Sequence, residues 1–189
     1  GLLYQWGRKD PFLGSSSITS SVEAKSTGTW NIVAGTYDTN QVMCEAHPMT
    51  FYKSFNFDLP DGSWDSVKTV YDPCPVGWRV PDGGENGIWA LAAGTSKDFD
   101  VSYDFSNRVL NFSGIFSDDT NVLYPVSGYR NHDAGLLSYV GDMGIYWSTS
   151  PSPTHSAHSY NLFFSFDGNV KPSRDDVSST GYSVRCLKE

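Results

Sequence analysis

Residues 71–81 read Tyr-Asp-Pro-Cys-Pro-Val-Gly-Trp-Arg-Val-Pro, and this stretch constrains the fold more than any other. Asp72 and Cys74 each precede a proline, whose ring crowds the preceding residue out of the helical region, so extended backbone is imposed there. Two further phrases read as strands fenced by turn residues, Ile145-Tyr-Trp-Ser-Thr-Ser150 and Gly181-Tyr-Ser-Val-Arg-Cys186. Cys74 and Cys186 are two of the three cysteines, Cys44 being the third. A bridge between them would tie the middle of the chain to its last strand. Closing so long a loop would constrain the unfolded chain by about 4–5 kcal/mol. It would also leave one thiol unpaired. Composition alone fits three reduced, buried thiols equally well.

The chain has 189 residues, enough for one domain or one domain carrying a long insertion. Aromatic residues reach 15%, and Tyr, Trp and Phe suit half-buried pleated surfaces. With 18 Gly and 10 Pro as punctuation, the composition points to many short strands and long loops. The formal net charge of −8 opposes nucleic acid as a partner, and the sequence shows no basic stripe to release phosphate counterions. The same acidity suits a solvated, secreted surface. No apolar run approaches the ~20 residues that span a bilayer, so no transmembrane segment is expected. The chain opens directly on a strand-like Leu2-Leu-Tyr4 and is expected to be part of a longer exported protein.

Along the chain, residues 2–7 predict a first strand, with Leu3 and Gln5 on one side and Leu2, Tyr4 and Trp6 on the other. Residues 10–28 read as a surface excursion rich in Ser, Gly and Thr. A short helix is expected over Asn40–His47, stopped by Pro48. A strand follows at Met49–Tyr52, and a turn at Leu59–Ser63. Trp78–Pro81 reads as a strand, and Ile88–Ala93 as a helix closed by Gly94 and packed through Trp89 or Leu91. Further strands are expected at 108–112, 122–129, 144–150, 159–166 and 182–187. Trp6, Trp78, Trp89 and Trp147 are assigned to the core. Trp30 and Trp64 are read as either exposed platforms or parts of small clusters under loops.

The order Cys-Pro-x-Gly-Trp-Arg-Val-Pro, short helix, Tyr-Trp-Ser and Ser-Val-Arg-Cys resembles the Fibrobacter succinogenes major paralogous domain. That domain occurs in Bacteroidetes surface proteins and at the C-terminus of fimbrillin-like proteins. The opening Leu2-Leu-Tyr-Gln-Trp6 resembles the same family, whereas residues 13–66 match only loosely, as an insertion would. The resemblance implies one α+β domain over residues 1–189, of C-type lectin-like fold: a mainly antiparallel sheet, one or two short helices and long loops. It also favours export, and with it a structural Cys74–Cys186 bridge. The expected function is that of a non-catalytic, adhesin-like or pilus-associated module at the bacterial surface, carried by a fimbrillin-like protein or lipoprotein. Its ligand would be a glycan or a protein, other pilus subunits among them. The alternative is an enzyme related in fold to formylglycine-generating enzymes, which need reactive cysteines close together.

Gly128-Tyr-Arg-Asn-His-Asp-Ala-Gly135 gathers an aromatic ring, a guanidinium, an amide and an imidazole between two glycines. It reads either as a binding loop or as a hairpin connection whose Tyr129 packs on the core. The expected ligand surface takes Tyr129, Arg130, Asn131 and His132 from this segment, His155 and His158 from a Pro-rich loop, and Arg174. The two loop histidines lack a neighbouring cysteine or carboxylate in sequence, so no metal and no cofactor is assigned. Cys44 near His47 reads as a buried thiol in preference to a nucleophile pair. The doublets Asp118-Asp119 and Asp175-Asp176 read as solvated charge. On a strand, neighbouring carboxylates would face opposite sides and could not act as an acid/base pair. Calcium could draw on such loop oxygens, but the Glu-Pro-Asn, Gln-Pro-Asp and Trp-Asn-Asp motifs of sugar-binding C-type lectins are absent.

Overall fold

A computed structural model describes residues 1–14, 31–34, 41–53, 64–93, 101–112 and 122–189. Trp30, Leu59–Ser63 and the Asp118-Asp119 doublet lie outside the described residues. Those described are mostly antiparallel strands with two short helices.

The centre of the fold is a three-stranded antiparallel sheet of β11 (Met143–Pro151), β12 (His158–Ser165) and β13 (Val170–Val177). Along β11 the run from Gly144 to Thr149 is buried without a break, because both faces of the sheet are covered there. Alternation sends Ile145 and Trp147, with Phe163 of β12, into one core. Tyr146, with Leu162 and Phe164, enters a second core on the opposite face. Gly144 stands opposite Phe164, and a Cβ there would lie 2.0 Å from a ring atom, so the missing side chain makes room for the aromatic.

On the Trp147 side lies a five-stranded sheet ordered β10 (Leu137–Ser138), β9 (Tyr129–Arg130), β14 (Gly181–Tyr182), β1 (Leu2–Gln5) and β2 (Phe12–Leu13). The first strand therefore pairs with a strand near the end of the chain, Tyr4 opposite Tyr182. Indole donors pin the layers together: Trp147 Nε1 donates to Tyr4 O at 2.8 Å and Trp6 Nε1 to Ser148 O at 2.7 Å. On the other face, β6 (Val101–Asp104), β7 (Val109–Phe112) and β8 (Val122–Pro125) form an antiparallel meander. The helix α2 (Ile88–Ala93) joins that side through Trp89, whose Nε1 donates to Tyr124 Oη at 3.1 Å, while Leu91 points to solvent. The helix α1 (Gln41–Ala46) precedes β4 (Thr50–Lys53), which pairs in parallel with β3 (Asn31–Ala34). Arg8 holds β4 in place from inside, donating to Thr50 O at 2.7 Å and Pro48 O at 3.0 Å.

The sulfurs of Cys74 and Cys186 are bonded, 112 residues apart in sequence. The bridge stands beside a two-stranded ribbon in which β15 (Leu187–Lys188) pairs with β5 (Trp78–Arg79).

Several expectations are corrected. Trp78, assigned to the core, is 41% exposed, because the ribbon it belongs to is covered on one side only. Trp64, read as an open question, is 2% exposed, packing against Tyr4 and Trp6 and donating to Tyr71 O. The strand expected over 122–129 breaks into β8 and β9. Gly128 intervenes at φ 67°, and a Cβ there would stand 2.6 Å from Ser138 O. The strand expected over 182–187 is likewise shorter, its middle reduced to a parallel bridge between Ser183 and Tyr146. The excursion from residue 10 contains strand β2, and residues between the strands expected at 159–166 and 182–187 form β13. That strand carries Pro172, which falls where the ladder is irregular: Asn161 pairs with Arg174 but Phe163 with Lys171. Proline is tolerated there because the strand is an edge and the extra residue forms a bulge.

Candidate functional site

The hairpin of β9 and β10 pairs Tyr129 with Ser138 and Arg130 with Leu137. Its loop is closed by Asn131, whose Oδ1 accepts Ala134 N at 2.8 Å and whose carbonyl accepts Gly135 N at 2.8 Å. Asn131 is thereby a loop-forming residue, as Asx turns require. Arg130 departs from its expected place on the ligand surface. It is 4% exposed, and its guanidinium donates to Leu13 O at 2.9 and 2.7 Å and to Gly135 O at 2.6 Å. Alternation turns the residue after Tyr129 inward, and burial lowers the Arg130 pKa from its ordinary value. His132 stays at the tip, partly exposed, with Nε2 3.1 Å from Asp133 Oδ1.

Tyr129 lies at the edge of the Trp147 core, edge-on to Tyr182 at 5.7 Å. Its ring also stacks on Tyr139, with centroids 5.8 Å apart and planes 12° from parallel. Tyr139 is 51% exposed and has φ of 51°, in the left-handed region that a bulky aromatic seldom occupies. A tight turn holds it there: Tyr139 O accepts the amides of Asp142 at 3.0 Å and Met143 at 3.1 Å. The outcome is an exposed aromatic face with a second ring behind it and an imidazole at the loop tip. Tyr139 escaped the sequence analysis because it follows the hairpin segment. A tyrosine two residues before Gly141 gives no sign in sequence of a left-handed backbone.

His155, His158 and Arg174 do not join this face as one surface. In the β12–β13 ladder His158 pairs with Val177, Tyr160 with Asp175 and Asn161 with Arg174. His158 and Asp175 therefore share one face of the sheet, and Arg174 and Asp176 the other. Arg174 lies over the Phe163 ring at 4.5 Å and donates to Asp176 Oδ2 at 2.8 Å. Tyr182 Oη donates to the same Oδ2 at 2.5 Å. Arg174 is thus linked through Asp176 to Tyr182.

On the opposite face, Asp175 Oδ2 accepts Ser152 Oγ at 2.6 Å and lies 2.7 Å from His155 Nδ1 and 3.9 Å from His158 Nδ1. Burial pushes the Asp175 pKa up, but hydrogen bonds from Ser152 and His155 and the nearby imidazoles outweigh it, and the net shift is downward. Both Asp175 and Asp176 are thus strand residues with partners, where solvated loop charge was expected. Ser152 does not form a nucleophile pair, since its hydroxyl meets the carboxylate and not an imidazole nitrogen.

Cys44 is buried beside Tyr52, and burial raises its thiol pKa, while His47 is exposed. A thiol held protonated in this way is a weak nucleophile. With Cys74 and Cys186 bonded to each other, no two cysteines are free to act together. Among the described residues no helix is long and apolar enough to cross a membrane. Compared with protein-family profiles, with curated proteins and with solved structures, the chain matches none.

Proposed function

We propose that this chain is a non-catalytic interaction module of C-type lectin-like fold, exported to a bacterial cell surface, which binds a glycan through the Tyr139–Tyr129 face. The observation that carries the reading is Tyr139, an exposed ring held at positive φ and backed by a stacked tyrosine. Backbone strain of this kind costs roughly 1–3 kcal/mol and persists where the surroundings over-determine it, commonly at binding sites. A flat, pre-positioned aromatic face suits the C–H face of a sugar ring, and His132 adds a polar group at the hairpin tip.

Export is supported by the Cys74–Cys186 bridge, since such bonds persist in oxidising compartments. The resemblance of its flanking phrases to the Fibrobacter-type domain supports a place in a fimbrillin-like surface protein or lipoprotein. The lectin-like reading draws on the pairing of β1 with β14, which brings an early and a late strand into one sheet.

A glycan array probed with the chain and with Tyr139→Ala tests the proposal. Retention of a glycan by the parent and a loss of about fivefold or more in the variant is expected from removing one stacked ring. Equal binding by both proteins, or no glycan retained by the parent, overturns it.

A further inference from the structure

We propose that His155, His158 and Asp175 form a binding site for zinc, open to solvent at a fourth position. One ligating atom from each residue lies within 4.8 Å of the others. Two imidazoles and a carboxylate make a donor set suited to zinc and neighbouring transition metals, where calcium and magnesium prefer oxygen alone.

The distances bracket what tetrahedral zinc requires. With ligand bonds of about 2.0–2.1 Å, ligand atoms stand about 3.3–3.4 Å apart. The Asp175 Oδ2 separations, 2.7 Å to His155 Nδ1 and 3.9 Å to His158 Nδ1, fall on either side of that value. For all three atoms to reach one ion, the first of these contacts would open and the second would close.

The state of one of these atoms also points to a ligand. His158 Nδ1 is buried and makes no hydrogen bond, although it faces the carboxylate. A buried polar atom left in this state is costly, and coordination would satisfy it. The surroundings also fit a metal site. Ser152 Oγ holds Asp175 Oδ2 and accepts His155 N at 3.2 Å, so one hydroxyl orients the carboxylate and closes the turn that carries the first histidine. Two ligands come from paired strands, which fix their relative positions more firmly than a loop would. His155 is mostly exposed, which leaves the fourth position to water or to a donor from another molecule.

The site lies on the face of the β12–β13 ladder opposite Arg174 and does not depend on the glycan reading. Isothermal titration of the oxidised chain with zinc chloride at neutral pH, and separately with calcium and magnesium chloride, tests it. One equivalent of zinc binding in the micromolar range is expected, with no heat from calcium or magnesium. His155→Gln and His158→Gln should each weaken zinc binding at least tenfold, whereas His132→Gln should leave it unchanged. Melting curves in the presence of a chelator report whether each variant folds. His155 is mostly exposed, so its variant keeps the test sound even if His158→Gln loses stability. Absence of zinc binding below millimolar concentration, or undiminished binding in His155→Gln, overturns the proposal.

Discussion

Asp72 Oδ2 accepts the backbone amide of Val80 at 2.9 Å, across the whole of the Pro-Cys-Pro-Val-Gly-Trp-Arg segment. Its other oxygen accepts the amide of Cys74 at 2.7 Å and the ammonium of Lys68 at 3.0 Å. One buried carboxylate thus does locally what a strand partner would otherwise do, and it sets the position from which Cys74 reaches Cys186. Asp72→Ala leaves two amides without an acceptor and should cost about 2–5 kcal/mol. Asp72→Asn, which keeps one acceptor oxygen, should cost less. Urea unfolding of the two variants, with unchanged m-values, measures the difference.

The bridge closes a loop spanning 112 residues of sequence separation. Reduction, or the paired change Cys74→Ser with Cys186→Ser, should lower stability by about 4–5 kcal/mol in the chain-entropy account. A thiol assay on the unreduced, denatured chain should find Cys44 alone. Three reactive thiols would mean that the bridge does not form in solution.

Tyr139 separates strain from function. Glycine has no penalty at φ of 51°, so Tyr139→Gly should relieve about 1 kcal/mol of backbone strain. The lost stacking on Tyr129 offsets part of that gain. The melting temperature should therefore hold or rise while glycan binding falls. A clear drop in melting temperature would show that the ring serves packing instead.

Burial raises the pKa of the Tyr146 and Tyr182 hydroxyls far above that of an exposed tyrosine, and for Tyr182 the Asp176 carboxylate adds to the effect. Their folded-state values exceed those of the unfolded chain, so the stability they contribute is fully present below about pH 10. Above that pH the unfolded chain releases protons that the folded chain retains, and stability falls as pH rises. Alkaline unfolding followed by phenolate absorbance should show these two groups ionising only with loss of the fold. Tyr182→Phe, which removes one such group, should flatten the alkaline limb of the stability profile.

Local chemistry in the sequence determined the elements whose causes lie within a few residues. Prolines at 73 and 75 imposed the extended approach to β5, and apolar residues bounded by glycines marked α2 and the long central strands. Alternation also assigned Asp175 and Asp176 to opposite faces should they lie on a strand, and they do. It could not show that Val170–Val177 is a strand, because this edge carries a proline at a bulge and little apolar character. Burial of the tryptophans was decided by what covers each one. Trp64 sits under Tyr4 and Trp6 while Trp78 lies on a ribbon with one open side, although each is flanked in sequence by polar, small or aliphatic residues and by no other aromatic. Arg130 turned inward because the carbonyl of Leu13, 117 residues earlier, lay within reach of its guanidinium. Asp175 reached His155 because antiparallel pairing folds β13 back along β12, so that 20 residues of sequence become a separation of 2.7 Å. Sequence period specifies which way a side chain points. Only the closed sheet, by bringing distant strands to within hydrogen-bonding distance, decides what the side chain meets.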